Sequence, residues 1–246
     1  MGISIYKKSD QASGNFNNGE ILEKKPIGFP QDGGRLNPYS NIFYWAHAWT
    51  PGKKSTIGLH PHRGFEICSF VLKGKINHFD TVKNKWIPLE EGDVQVIRSG
   101  SGISHSEEIC DNSEIFQIWF DPDLSKTLIK EASYSDYKSN QFATKSTKKK
   151  VVKNIIGNDS PIEIDSEAVC VNEYLFGIGN HLIDINEGCV HSIFLMEGIM
   201  SFNGAEYSAG TFFTAQFENY FQIKVLQKTK VFEIISPINP TYDTYA

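Results

Sequence analysis

The chain has 246 residues, with 24 basic and 29 acidic side chains and a formal net charge of −5. Hydrophobic residues make up 40% of the sequence and charged residues 22%, which excludes a largely disordered chain. The acidic balance argues against direct nucleic-acid binding, because phosphate neutralisation needs a basic face. No apolar stretch approaches the roughly 20 residues of a membrane-spanning helix, so we expect no membrane partner.

Short β-rich runs separated by Gly, Pro and Asn dominate the chain. Strands of this length, with turn signals about every 8–12 residues and no alternating helices, favour an all-β sandwich or barrel. In chain order the predicted strands cover residues 41–49, 67–72, 94–98, 115–120, 192–196, 211–214 and 230–235. Residues 124–153 differ in character, since a loosely helical pattern is followed by a run of lysines. We interpret this stretch as a solvated connector that holds most of the helix.

A weak internal repeat lies on either side of the connector. An apolar strand ends at Gly74 and is followed by Gly92 and another strand, and the same order recurs at Gly198 and Gly210. The repeat predicts two similar β-barrels in tandem. The predicted boundaries are an N-terminal domain over residues 1–130, a connector over 131–153 and a C-terminal domain over 154–246. The first residues lack the apolar run of a secretion signal, so we expect a cytoplasmic protein.

Two pairs of metal-ligand residues stand out in the N-terminal domain. His60 and His62 form one pair, and His105 and Glu107 form the other. In an extended strand residues i and i+2 point to the same face, so each pair can present both side chains to one centre. Three imidazoles and one carboxylate suit a divalent transition metal. A single His-x-His pair is often just a hydrogen-bonded surface feature, but two such pairs within 48 residues favour a metal site.

The residues around these pairs resemble a known family. The segment from Gly58 to Glu66, which reads GLHPHRGFE, is similar to the first cupin motif. The segments GDVQ at Gly92 and GSGISHSE ending at Glu107 are similar to the second. Together they resemble the pirin family of bicupins, which includes bacterial quercetin 2,3-dioxygenases, and the close match covers residues 57–108. The resemblance implies two tandem cupin barrels of the jelly-roll type, joined by a short, partly helical connector.

The resemblance also implies a ligand set and a reaction. By position the ligands of one divalent metal would be His60, His62, His105 and Glu107, and Glu107 would also be the catalytic proton carrier. The expected metal is Fe(II), with Mn, Ni, Cu or Zn as alternatives in isolated protein. The implied activity is a dioxygenase that opens a flavonol-like ring with O₂, so its partners would be an aromatic small molecule and O₂. The alternative is a non-catalytic, redox-sensing regulator that binds a protein partner through an iron-dependent surface.

Several further residues are candidates for places around the metal. Glu66 belongs to the first motif, and we rank it below Glu107 as a ligand and expect it behind the ligands or paired with Arg63. Phe65, His78 and Trp45 are candidates for the pocket or for contacts behind the ligands, with ordinary core packing as the alternative for the aromatic residues. Arg98 and Ser101 depart from the usual family sequence before the second motif, which leaves the substrate open.

The second barrel is predicted to lack a metal. With Gly74 and Gly198 as anchors, His60 and His62 correspond to Asp184 and Asn186. With Gly92 and Gly210 as anchors, His105 and Glu107 correspond to Ile223 and Val225. Two apolar residues cannot coordinate a divalent ion, and an aspartate–asparagine pair alone would bind one weakly.

Overall fold

The structure is a computed structural model that describes residues 2–246. All seven predicted strands are present, and most extend a few residues beyond their predicted ends. The strands are β1 Ile3–Tyr6, β2 Ala12–Phe16, β3 Ile21–Ile27, β4 Ile42–Trp49, β5 Ser55–His62, β6 Glu66–Lys73, β7 Lys75–Asp80, β8 Trp86–Glu90, β9 Val94–Arg98, β10 Ile103–Ile109, β11 Glu114–Phe120, β12 Ser133–Tyr137, β13 Thr144–Ser146, β14 Lys150–Ile156, β15 Cys170–Phe176, β16 Gly179–Asp184, β17 Cys189–Glu197, β18 Ile199–Phe202, β19 Ala205–Ser208, β20 Phe212–Ala215, β21 Tyr220–Val225 and β22 Thr229–Pro237.

The chain forms two compact units. The N-terminal unit comprises Asp10–Ser139, Ile164–Ser166 and Thr241–Ala246, and the C-terminal unit comprises residues 2–9, Asn140–Glu163 and Glu167–Pro240. Each unit contains one seven-stranded and one four-stranded sheet, and all of their strand pairs are antiparallel. The all-β prediction of two similar barrels is therefore confirmed.

In the N-terminal unit the seven-stranded sheet has the order β12-β9-β6-β11-β4-β3-β2, and the four-stranded sheet has the order β5-β10-β7-β8. The turn from β6 to β7 requires Gly74, whose φ of +73° is unfavourable for residues with a Cβ atom. Apolar side chains on alternate positions fill the space inside the unit, for example Val71, Ile76 and Ile109. This alternation leaves the remaining inward positions of β5, β7 and β10 available for polar side chains.

In the C-terminal unit the corresponding orders are β1-β20-β17-β22-β15-β14-β13 and β16-β21-β18-β19. Strand β21 alternates strictly between exposed and buried residues, as expected for a strand with one face on a core. Ile223 and Val225, which the glycine anchors matched to His105 and Glu107, belong to that apolar core. Strand pairing shifts this match by two residues, because Ile109 pairs with Ile76 and Val225 pairs with the equivalent Met200, so Ile223 lies at the Glu107 position. Asp184 is the exposed last residue of β16.

The stretch expected to hold most of the helix contains α1 (Leu124–Thr127), the single α-helix among residues 2–246. The Asp123 side chain caps α1 by accepting a hydrogen bond from the Ser125 N–H. Downstream of α1 the stretch is mainly strand: β12 pairs with β9 in the N-terminal unit, and β14 pairs with β15 in the C-terminal unit. The part of the chain described by the structure has no helix that is long and apolar enough to cross a membrane.

Candidate metal centre

Strand pairing brings the three predicted histidine ligands together. His60 on β5 lies directly opposite His105 on β10, and His62 is two residues further along the same face of β5. The His105 Nε2 atom is 2.9 Å from His62 Nε2 and 3.0 Å from His60 Nε2. Nitrogens of all three rings lie within 4.8 Å of one another. The sequence pattern thus produces a cluster of three imidazoles whose ring nitrogens lie close together.

Hydrogen bonding alone does not explain this cluster. His60 Nδ1 is 2.8 Å from the Gly58 carbonyl oxygen, which only accepts, so the neutral His60 ring carries its proton on Nδ1 and a lone pair on Nε2. The His105 Nε2 atom holds either one proton or one lone pair, so it cannot make a normal hydrogen bond to both neighbours. Two nitrogens bound to one ion at about 2.1 Å and at right angles would be about 3.0 Å apart. The observed spacing therefore fits a shared cation.

The electrostatics of the cluster keep two of the rings, His62 and His105, neutral. Burial lowers the pKa of His62 to about 3, and repulsion from His105 and His60 acts in the same direction. Burial also lowers the pKa of His105 to about 3, together with repulsion from His60 and His78. Both rings are therefore neutral at pH 7, and neutral imidazole is the form that binds a metal.

Glu107 follows His105 by two residues on β10, and a register shift against β5 falls between them. Its side chain is buried and accepts hydrogen bonds from Ser69 Oγ at 3.1 Å and from Gln117 Nε2 at 2.5 Å. The carboxylate joins His105 and His78 in a second group whose ligand atoms lie within 4.8 Å of one another. His105 therefore belongs to both groups, and Glu107 is held by two donors beside it.

His78 is fully buried, next to the predicted ligands. Its Nε2 atom is 2.9 Å from Asp80 Oδ2, and its ring stacks on Tyr134 with a centroid distance of 4.6 Å. Burial lowers the pKa of His78, although Glu107 and Asp80 act against that shift. The Nδ1 atoms of His78 and His105 have no hydrogen-bond partner among residues 2–246. Such unpartnered buried nitrogens are costly, and they mark the places where a ligand would be most stabilising.

Aromatic rings form one wall of the site. Phe65 and Trp119 each lie with their ring centroid 5.3 Å from that of His62, in edge-to-face geometry. Trp119 also stacks on Tyr44 at 4.4 Å. Trp45, the other aromatic candidate from the sequence, is fully buried and packs edge-on against Phe116. Phe65 is therefore a neighbour of the histidines, whereas Trp45 has the contacts of a core residue.

Glu66 lies on the other face of β6 from Ser69, because the two residues are an odd number of positions, three, apart in the strand. It is 1% exposed and accepts hydrogen bonds from the backbone N–H groups of Asp165 and Ser166 and from Ser166 Oγ. Burial raises the pKa of Glu66, and these hydrogen bonds act against the rise. Its cationic neighbour is Arg98 at 3.8 Å, in place of the expected Arg63. Glu66 thus anchors the 164–166 segment and makes no contact with the histidines.

A cleft of about 430 Å³ opens beside His62. That volume lies in the range of sites for small organic ligands. Its lining residues are Pro61, His62, Arg63, Thr81, Gly102, Ile103 and Ser104.

Sequence reasoning missed the residues that hold Glu107 and extend the aromatic wall. Ser69 and Gln117 are paired across β6 and β11, and Trp119 follows Gln117 by two residues. The signal available in the sequence was the amide side chain of Gln117 within the otherwise apolar run of β11. Its direction toward Glu107 depends on strand register, which the sequence did not specify.

The fold and these side chains define a bicupin with a candidate His/Glu metal centre in its N-terminal unit. The Pirin family model matches residues 35–120, which include all four predicted ligands. This match confirms the resemblance that the motif around His60 predicted.

Comparison with known proteins agrees with this assignment. The chain is 38% identical to the quercetin 2,3-dioxygenase of Escherichia coli K12 over 70 residues, which are 27% of this chain and 30% of the relative. Matches to the curated relatives thus span less than a third of their length.

Solved structures extend the likeness in fold to nearly the whole chain. A bacterial pirin from Escherichia coli in complex with nickel(II) has a TM-score of 0.79 at 18% identity, and the match covers 96% of this chain and 99% of that one. A quercetin 2,3-dioxygenase structure from Acinetobacter baumannii has a TM-score of 0.80 at 17% identity, with 96% and 79% coverage. At such identities the likeness is evidence of a shared bicupin fold.

Proposed function

We propose that this protein is a metal-dependent dioxygenase that opens a flavonol-like ring with O₂. The observation that carries the proposal is the convergence of three imidazoles, of which His62 both lines an open cleft and contacts the rings of Phe65 and Trp119. His60, His62, His105 and Glu107 would hold one divalent ion, Fe(II) in the cell, and isolated protein would also accept Mn, Ni, Cu or Zn. When bound, the ion supplies Lewis acidity and sites for substrate and O₂.

The side chains of the chain itself supply binding and proton handling. Phe65 and Trp119 offer flat apolar faces beside His62, against which an aromatic ring system can pack. Glu107 is the group within the site that can accept the substrate hydroxyl proton on a carboxylate oxygen. Ser69 and Gln117 keep that carboxylate in one orientation. The overall reaction would consume one O₂ and release one carbon monoxide for each flavonol opened.

The test is O₂ uptake and carbon monoxide release by iron-loaded protein with quercetin between pH 6 and 8. We expect one carbon monoxide to be released for each O₂ consumed. With metal-free protein we expect neither O₂ uptake nor carbon monoxide release. Metal-loaded protein that leaves quercetin intact would contradict the proposed activity.

A second candidate is a non-catalytic, redox-sensing regulator that uses the same four ligands and binds a protein partner. The observation that favours it is an exposed apolar side chain beside the site, because Leu59 directly precedes His60 and is 58% exposed. A partner seated on that surface would be close enough to respond to the oxidation state of the ion. Metal binding without turnover of quercetin would favour this candidate.

A further inference from the structure

Glu107, Gln117 and Trp119 form a directed hydrogen-bond chain. The Trp119 Nε1–H donates to Gln117 Oε1 at 3.0 Å, and the Gln117 Nε2–H donates to Glu107 Oε2 at 2.5 Å. An indole N–H can only donate, so it requires the oxygen of the Gln117 amide. That requirement turns the NH₂ end of the amide toward the carboxylate. If the amide were flipped, two oxygens would face each other and both hydrogen bonds would be lost.

The fold itself does not require an amide donor at this position. In the C-terminal unit the pair Glu197 and Lys230 corresponds to Lys73 and Glu114, which places Glu233 where the N-terminal unit has Gln117. Glu233 is fully buried and accepts hydrogen bonds instead of donating them. Its donors are Tyr174 Oη at 2.7 Å, Asn172 Nδ2 at 3.1 Å and His191 Nδ1 at 2.8 Å.

The two units therefore differ in polarity at matching positions. Ile109 and Val225 pair with the equivalent residues Ile76 and Met200, so Ile223 lies where the N-terminal unit has Glu107. Where the N-terminal unit has Glu107 with the amide donor Gln117, the C-terminal unit therefore has the apolar Ile223 with the acceptor Glu233. The donor appears in the unit that has a carboxylate to hold. Glu233 shows that the barrel accepts a buried hydrogen-bond acceptor at this position. We therefore infer that the amide donor of Gln117 is present to bind the Glu107 carboxylate.

We propose that Trp119 is a positioning residue, which fixes the Gln117 amide and through it the orientation of the Glu107 carboxylate for metal binding. The indole has a second role in the same site, because its ring faces His62 and Phe65. One side chain thus joins the aromatic wall to the carboxylate. The inference rests on the proposed metal site and does not depend on which substrate is used.

The experiment is a Co(II) titration of metal-free full-length protein and its variants. Loss of a residue that orients a ligand typically weakens metal affinity by about 10- to 100-fold. We expect Trp119→Phe, which keeps an aromatic ring and removes the N–H, to weaken Co(II) binding about tenfold. Gln117→Leu should weaken it by a similar factor. The matched control Trp86→Phe, in a half-exposed side chain that packs against Phe79, should bind as the wild type does.

The double variant provides the decisive comparison. Because Trp119 acts through Gln117, Trp119→Phe combined with Gln117→Leu should bind Co(II) as Gln117→Leu alone does, within about twofold. The d–d absorption of the Co(II)-loaded single variants should shift from that of the wild type, which a packing defect remote from the metal would not produce. The proposal would be overturned if the double variant lost affinity by the product of the two single-variant factors, or if Trp119→Phe bound Co(II) as tightly as the wild type.

A variant that reverses the amide polarity tests the same idea if Trp119→Phe does not fold. Gln117→Glu keeps the shape of the side chain and puts an acceptor opposite Glu107, so it should weaken Co(II) binding at pH 7 at least as much as Gln117→Leu. Equal affinity of Gln117→Glu and wild type would contradict the positioning role. Quercetin turnover is a separate measurement: its absence with the Co(II) results as expected would remove the dioxygenase and leave this inference standing.

Discussion

His60 and His105 lie opposite each other in the pair of strands β5 and β10, and their Nε2 atoms are 3.0 Å apart. His62 Nε2 is 2.9 Å from the same His105 nitrogen, which holds either one proton or one lone pair and so cannot form a normal hydrogen bond to both neighbours. His105 is the shared member of both potential ligand groups. Its replacement should therefore affect metal binding more than any other single change.

The first prediction concerns the number of metal ions. We expect wild-type protein to bind one divalent ion per chain, and we expect His105→Ala to retain almost none. His181→Ala is the control, because His181 in the C-terminal unit bonds to the Gly177 carbonyl and should not affect metal content. Metal analysis after loading and desalting measures both. A stoichiometry near two, or a full equivalent in His105→Ala, would show that the ligand assignment is wrong.

The second prediction concerns the aromatic wall. Phe65→Leu should raise the dissociation constant for a flavonol about fivefold, since aromatic contacts contribute about 1 kcal/mol beyond the area they bury. Quenching of protein fluorescence by quercetin under anaerobic conditions measures the constant. Phe79→Leu is the matched control, because Phe79 packs against Trp86 and points to the opposite face of β7 from its neighbour His78. Equal effects of the two variants would contradict a binding role for Phe65.

The third prediction concerns acid stability and Asp93. Burial alone would raise the pKa of Asp93, but hydrogen bonds from Lys138 and from the backbone N–H groups of Glu90 and Ser139 outweigh burial and lower it. A carboxylate whose folded pKa is below its unfolded value stabilises the fold above the unfolded pKa, and this contribution is lost as the pH falls through the folded pKa.

Asp93→Asn should accordingly lower the free energy of unfolding by about 1–3 kcal/mol at pH 7, the range for a hydrogen bond to a charged group. The difference between wild type and variant should shrink as the pH falls below the unfolded pKa of 3.8. Urea unfolding at pH 7 and near pH 3 measures it. A difference that stays constant or grows toward acid would contradict the assignment.

The fourth prediction concerns the turn glycine that the sequence identified. Gly74 has a φ of +73°, and a Cβ atom there would overlap Ser113 Oγ. Gly74→Ala should lower the free energy of unfolding by about 1–3 kcal/mol, as expected for a side chain forced into a rare backbone conformation. Gly52→Ala is the control, because its Cβ atom would meet nothing within 4 Å. In thermal unfolding, the melting temperature of Gly74→Ala should be lower than that of the wild type, whereas that of Gly52→Ala should be close to it.

The sequence was sufficient to predict the class of fold. Strand periodicity and turn glycines act over short distances, so β6, β9 and β11 could be located from local patterns alone. The pairs at His60 and His105 were visible because period-two spacing determines which face a side chain occupies. Their meeting depends on the pairing of β5 with β10, which the sequence left as a condition and the strand register shows.

The residues that support the centre could not be predicted, because their roles depend on register between distant strands. Gln117 and Ser69 are 48 positions apart in the sequence but directly paired, and each contacts Glu107. Glu66 shows the opposite case. Its place in the first motif made it a candidate near the metal, but its side chain points to the face of β6 opposite Ser69 and away from the histidines. Its donors come from residues 165 and 166, about 100 positions downstream.

That last contact has a practical consequence for dissecting the molecule. A fragment ending at Ser139 would contain every predicted metal ligand and all strands of the N-terminal unit, yet it would lack the three donors that satisfy the Glu66 carboxylate. Arg98 would remain beside the carboxylate, but each lost hydrogen bond to a charged group removes about 1.5–3 kcal/mol. Truncation at Ser139 would therefore yield a less stable polypeptide. A circularly permuted chain, or co-expression of the fragment with a segment that retains Ile164–Ser166, is the better route to an isolated metal-binding unit.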